Sequence, residues 1–492
     1  MKKDLSFIYA TQKDLCTLYG IGALLGWDER THMPRKAVSA RADQQKLIHD
    51  LIYEKMTADK LLDALHRLRE KTLSGKDNLV VKELYKDVIK ARRIPQAFCQ
   101  ELVKTVVMAQ AAWEAARYKN NFALFRKHLE KVVELKRQEA QFIDPDKKPY
   151  AALLNEFEEG MTPEKLTDLF DYLKKELITI VDHIKGTPRY SGQTPVRVVM
   201  KEDRQKAVIG EILKKMRMPS NRTSCDVSTH PFSIKLSEND VRITTRYLDP
   251  LDSFFAAIHE AGHALYELGI SKKYCNTVLF YAASVGLHES QSRFWENMIA
   301  KNKSFWSGYF PQFARYVDAG FTPESFYYAV NQVRPSFIRV NADEVTYGLH
   351  IILRYEIERD LIDGTLSVAD AKDAWNCKTK QYFNLIPSSD NEGILQDVHW
   401  AGGAFGYFPT YTIGSIYASQ IYNHLEKTLP DFDRMIRVQN FNPVLAWLRA
   451  NIHSKGKSMP ADDIIAQACG SGLNPKEFVD YLRAKFIPIY ER

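Results

Sequence analysis

Apolar residues recur at three- and four-residue intervals through most of the chain, a period that predicts one helix after another. The clearest runs are "ARADQQKLIHDLIYEKMTADKLLDALHRLREKT", "CQELVKTVVMAQAAWEAARYKNNFALFRKHLEKVVELKRQEAQFI" and "TPEKLTDLFDYLKKELITIVDHIK", all within residues 1–185. In the last of these Thr162 stands where an N-cap belongs, with Pro163 at the first helical position. Between 189 and 248 the period shortens to two. "YSGQTPVRVVM" and "DVRITTRYL" alternate polar with β-branched residues, which predicts short strands of a small sheet. Helical spacing returns at 250 and persists, broken by Gly-rich turns in "WAGGAFGYFPTYTIGS" (400–415). No fixed-period repeat and no Ser/Gly/Pro linker interrupts the pattern, so a solenoid is not expected. The expected architecture is mainly α: a large helical body with a minor sheet beside its central cleft, built as a single unit over 1–492. An N-terminal helical region occupies 1–185, and the remaining chemistry-bearing region 186–492.

Composition narrows the classes. Of 492 residues 45% are hydrophobic and 26% charged, ordinary for a globular protein able to bury a sizeable core. The 68 basic and 61 acidic side chains leave +7, small for this length, and no block of like charge stands out, so nucleic acid is not an expected partner. Six cysteines (16, 99, 225, 275, 377 and 469) are scattered without a CxxC pair, as expected for free thiols of a reducing compartment. "MKKDLSFIYATQKDLC" lacks the apolar core of an export signal, and nowhere do about 18 apolar residues run without a charge. A soluble cytoplasmic protein without a membrane span is the expectation.

The candidate chemistry sits in "DPLDSFFAAIHEAGHALYELGI" (249–270). Asp249 can cap this helix and Pro250 suits its first turn. His259 and His263, four residues apart, project from one helical face and can share one ion, while Glu260 stands beside that ion without having to bind it. Zinc chemistry uses this arrangement: neutral imidazoles hold the metal and a free carboxylate takes a proton from the water on it. With 13 histidines in the chain, the spacing alone would arise by chance in roughly two chains per hundred, so context and a third ligand must decide. A His-x-x-Gly-x-x-His extension is missing, since the chain reads "ALYELGI" after His263. The third ligand is therefore expected to be a carboxylate on a later helix, and Glu289 in "GLHESQSRFWEN" (286–297) is the candidate. His288 beside it is a rival whose part stays open between ligand, substrate contact and structural support.

With these residues in place the chain resembles the M32 family of metallocarboxypeptidases. The resemblance covers most of the chain and rests on "LLGWDERTHMPRKAVSARADQ", "HPF" (230–232), "DVRIT" (240–244), "HEAGH" (259–263), "HESQSRFWEN", "IRVNADEVTY" (338–347), "GILQDVHW" (393–400) and "GYFPTY" (406–411), in the family's order. It implies that His259, His263 and Glu289 bind the metal and that Glu260 is the general base. It also implies a long helical body with a deep central groove and release of residues one at a time from peptides with a free C-terminus. Specificity would be broad, with terminal proline disfavoured. The ion would be zinc, or cobalt or manganese in some members, one per chain, and the protein a cytoplasmic homodimer.

A carboxypeptidase must recognise a free α-carboxylate, which a guanidinium does well through its bidentate fork. Arg339 in "IRVNADE" is the first choice by the family pattern and Arg242 in "DVRIT" the second; the ordinary alternative for either is a structural ion pair. Donors to the developing oxyanion are expected from His399 in "QDVHW" and from Tyr411 or Tyr407 in the Gly-rich stretch, each worth about 3–4 kcal/mol. His230 more readily braces a wall than lines a site. Asp343 and Glu344 suit the positive end of the helix that follows them, and Asp343 or Asp397 could orient a ligand histidine through its other nitrogen. Two rivals share the motif. An endo-oligopeptidase would use the same residues, and a non-catalytic scaffold with structural zinc would have no use for Glu260.

Overall fold

Caps and breakers cut the periodic pattern into its observed helices. The computed structural model describes residues 1–193, 197–317 and 320–491. The first long run divides at Ala58 into the helices Val38–Thr57 and Asp59–Arg69. The second divides into Gln96–Tyr118 and Ala123–Ile143, with Asn120 turning the chain at φ 49°, a left-handed conformation that Asn tolerates. Thr162 caps Pro163–Lys185 as expected, its hydroxyl accepting from the Lys165 N–H at 3.3 Å. Asp249 does the same for Pro250–Gly269, accepting from the N–H groups of Leu251 and Asp252 at 2.9 Å.

The two stretches expected as strands part company. "DVRITT" forms β3 (Asp240–Thr245), the centre of a three-stranded sheet ordered β1-β3-β2. Its neighbours are β1 (Thr223–Val227), parallel to it, and β2 (Ser233–Ser237), antiparallel. The register sets Cys225 and Ser233 opposite Ile243. Residues 197–200 are not a strand. Val198 and Met200 are nonetheless buried, so the alternation there buries side chains without a partner strand to ladder with. Residues 194–196 of that stretch lie outside the described ones.

The chain divides into two compact units, each gathered from three separated segments. The first comprises Met1–Arg92, Val196–Tyr327 and Ile421–Gly472. In it β3 packs on the helix Pro250–Gly269, and Thr245 Oγ1 donates to the Ser253 carbonyl at 3.2 Å. Phe254, fully buried, stacks on Tyr309 and meets Phe313 edge to face. Burying such a ring stabilises by about 1.5–3 kcal/mol, and this aromatic cluster anchors the start of the helix that carries both candidate histidines.

The second unit comprises Arg93–Pro195, Tyr328–Gln420 and Leu473–Arg492. Its axis is the helix Tyr347–Asp363, buried on nearly every face, as a helix ringed by other helices must be. Ala123–Ile143, Pro149–Asn155, Pro163–Lys185 and Ala371–Phe383 surround it, and Tyr355 meets the rings of Tyr150 and Phe170. Gly364 ends it at φ 87°, and the N–H groups of Gly364 and Thr365 both reach the Asp360 carbonyl, a left-handed cap that favours glycine. Among the described residues no helix is long and apolar enough to cross a membrane.

Candidate metal centre

His259 and His263 leave the same side of their helix, ring centroids 5.0 Å apart and planes at 82°. The helix Val285–Arg293, capped by Ser284 accepting from the Leu287 N–H at 3.0 Å, crosses behind them. The crossing is close because residue 262 is glycine. A Cβ there would lie 2.6 Å from the Gln291 carbonyl oxygen and 2.7 Å from Ser292 Cα.

This approach delivers Glu289. Its Oε2 lies 3.6 Å from His259 Nε2 and 3.4 Å from His263 Nε2. Ligand atoms about 2.0–2.2 Å from a tetrahedral ion stand about 3.4 Å apart, so the three donors fit a divalent cation between them. One ligating atom from each of the three residues lies within 4.8 Å of the other two. Both Nδ1 atoms are engaged elsewhere, which leaves the Nε2 atoms to face Glu289. His259 Nδ1 pairs with Glu296 Oε2 at 2.8 Å, and His263 Nδ1 donates to the His288 carbonyl at 3.1 Å. Fixing one nitrogen this way sets the tautomer and aims the other.

Electrostatics fit the same use. Burial would raise the Glu289 carboxyl, but Arg293, whose Nε donates to Oε1 at 2.7 Å, together with His259 and His263, holds it far below the usual carboxylate range. Burial, reinforced by His288, pushes His263 down to about 3, so its imidazole is neutral at pH 7. Glu260 is buried and, among the described residues, has no hydrogen-bond partner. Burial, with Glu289 and Glu296 adding and His259 opposing, pushes its carboxyl up to about 7, a value suited to taking and giving back a proton near neutrality.

The orienting acid is therefore Glu296, not Asp343 or Asp397. Asp343 caps its own helix entry, accepting from the N–H groups of Val345, Thr346 and Arg334. Asp397 is buried between two arginines. The signal for Glu296 was present, since it lies seven residues after Glu289, two turns along one helical face. Here that stretch, Phe294–Ala300, is π-helical, and Lys301 Nζ holds the other Glu296 oxygen at 2.9 Å.

In the second unit Arg339 and Arg354 grip Asp397 from both sides. Arg339 Nη2 reaches Oδ1 at 2.7 Å and Arg354 Nε reaches Oδ2 at 2.7 Å. Arg339 Nη1 also donates to the Tyr347 hydroxyl at 2.9 Å. Two guanidinium groups against one carboxylate leave this buried cluster one positive charge in excess. His399 Nε2 pairs with the Tyr411 hydroxyl at 3.1 Å, and Tyr407 packs edge-on to Tyr411. Burial, with Arg339 and Arg354 adding and Asp397 opposing, pushes His399 down to about 4. Arg242 in β3 has both sides of its fork on Asp240, at 2.9 and 2.8 Å, and its guanidinium lies 4.4 Å from the Trp27 ring centre. His230 is exposed, its carbonyl accepting from the Ser228 hydroxyl.

A helical protein whose HExxH helix meets a glutamate from the next helix defines the class of metallopeptidase-like centres, and comparison with known proteins narrows it. The profile of the Carboxypeptidase Taq (M32) metallopeptidase family matches residues 8–486. Carboxypeptidase 1 of Bacillus subtilis is 37% identical over 475 residues, covering 95% of each chain. Thermostable carboxypeptidase 1 of Thermus thermophilus is 35% identical over 497 residues, covering 97% of each. The crystal structure of the M32 carboxypeptidase from Deinococcus radiodurans superposes with a TM-score of 0.95 at 34% identity, covering 100% of both chains. The chain belongs to the M32 family of metallocarboxypeptidases.

Proposed function

We propose that the protein removes C-terminal residues one at a time from peptides with a free carboxylate, using one zinc ion held by His259, His263 and Glu289. Cobalt or manganese suits the same donors. The observation that supports this reading best is the convergence of those three donors beside the buried carboxylate of Glu260, which has no hydrogen-bond partner among the described residues. A divalent cation there supplies Lewis-acid polarisation of the scissile carbonyl and of water.

The chain's own residues do the rest. Glu260 takes the proton of the attacking water on a carboxylate oxygen, holds it, and passes it to the leaving amine nitrogen. Arg339, with its surplus positive charge and rigid setting against Asp397, is assigned the terminal carboxylate of the substrate. Arg242 is the weaker candidate, its fork already filled by Asp240. His399 and Tyr411 are assigned as donors to the developing oxyanion, and Tyr407 as a substrate contact packed beside Tyr411. Specificity is broad, with terminal proline disfavoured because it offers no N–H at the leaving position. The working form is a cytoplasmic homodimer.

Product analysis by mass spectrometry on a free-ended peptide tests the activity. Stepwise loss from the C-terminus, stopped by a chelator and restored by zinc or cobalt, is expected. C-terminal amidation should abolish cleavage; unchanged cleavage of the amide, or internal cuts, would point to an endopeptidase instead.

A further inference from the structure

The two candidate ligand histidines are backed differently. His259 leans on an anion, Glu296, at 2.8 Å. His263 Nδ1 meets the neutral carbonyl of His288 at 3.1 Å. One hydrogen bond fixes a ring's direction and leaves its tilt free. That tilt is set by the His288 ring, which lies flat on His263 with centroids 4.4 Å apart and planes 16° from parallel.

The His288 ring is itself tied down. Its Nε2 lies 3.3 Å from Glu267 Oε1, and the second oxygen of Glu267 takes Lys235 Nζ at 2.6 Å. Lys235 stands in β2, donates to the Phe280 carbonyl as well, and sits 4.6 Å from the ring centres of Phe280 and Tyr281. Glu267 follows His263 by one helical turn. All three side chains are largely enclosed, at 10%, 14% and 23% exposure for Lys235, Glu267 and His288. An enclosed ion pair is often no more stabilising than an apolar replacement, so what it contributes here is fixed geometry.

We propose that Lys235, Glu267 and His288 form a positioning chain that sets the plane of the ligand His263, so that metal affinity and coordination geometry depend on a lysine of the sheet. The inference rests on the reading of His259, His263 and Glu289 as metal ligands. Outer partners of metal-binding histidines typically matter by 10- to 100-fold in affinity.

Competition between the purified protein and a fluorescent chelator for Co2+ measures that affinity, and the visible d–d spectrum of the cobalt protein reports coordination geometry. E267Q removes the charge that ties the ring. H288F keeps a flat ring and the main-chain carbonyl but loses Nε2. Each should weaken Co2+ binding by about tenfold or more and shift the spectrum. K235M should do likewise, while K235R, which keeps the charge, restores most of the affinity. The melting temperature of the metal-free protein, followed in parallel, separates this from a bracing role. Wild-type affinity and spectrum in both E267Q and H288F, whatever their melting temperatures, would overturn the proposal and leave the ligand reading standing. Wild-type affinity in H263A would show that the ligand reading itself has failed, and the proposal with it.

Discussion

At the scale of single residues, Glu260 and Glu296 flank His259 in different roles, and substitution should separate them. Glu260 touches none of the donors by hydrogen bond, so E260Q should lower kcat by about 10²–10⁴-fold while retaining one metal ion per chain by elemental analysis. Metal loss in E260Q, or full turnover, would contradict the assigned base. Glu296 backs the candidate ligand His259, so E296Q should weaken metal binding by about 10–100-fold, read by chelator competition, before it changes the rate of the fully loaded enzyme. The convergence of His259, His263 and Glu289 was legible in the sequence because helical spacing and donor chemistry constrain those three donors tightly. Glu296 is not legible in the sequence because an acid two turns further on reads equally well as a solvated surface residue, and only packing shows that its carboxylate turns inward. The part played by His288 is illegible for a related reason, since spacing cannot tell a ring that binds metal from one that stacks on a neighbouring imidazole.

At the scale of elements, the site depends on how closely two helices approach at Gly262. The methyl group of G262A would meet backbone atoms of Gln291 and Ser292 under 3.0 Å away, and neither can rotate aside. The helices must separate, carrying Glu289 from the histidines. Overpacking of this kind costs about 1–3 kcal/mol; a lower melting temperature together with weaker metal binding is expected, whereas a stability loss with wild-type affinity would mean the crossing does not set the donor spacing. The helices themselves were largely readable from apolar period and caps, and Thr162 and Asp249 do cap where their positions suggested. The outer strands were not. "TSCDV" lacks clean alternation and "SIKLS" alternates over only 5 residues, and as edges of a small sheet neither buries a face completely. The π-helical turn that carries Glu296 leaves no mark in the apolar spacing either.

At the scale of the whole molecule, three largely enclosed imidazoles make the fold sensitive to acid. Among the described residues, His350, His399 and His453 each keep one ring nitrogen without a hydrogen-bond partner, so a second proton would bury an unpaired donor. Burial, with Arg449 and His288 adding, pushes His453 down to about 3. The unfolded chain takes these protons near pH 6.5 and the folded chain only at much lower pH. Their contribution to stability is therefore present above about pH 6.5 and lost as pH falls towards 4. Melting temperatures between pH 8 and 4 should drop steeply for the wild type and less steeply for H453Q; parallel curves would remove His453 from the account.

The braided course of the backbone carries a temporal consequence. All three candidate ligand positions are synthesised by residue 289, yet the first unit also needs Ile421–Gly472, whose His453 holds Gln291 at 2.8 Å directly behind the Gly262 crossing. A nascent polypeptide thus carries the exposed candidate metal donors through more than a hundred residues of further translation before the segment that braces them emerges. Cation capture is expected to follow emergence of that segment from the ribosome rather than precede it.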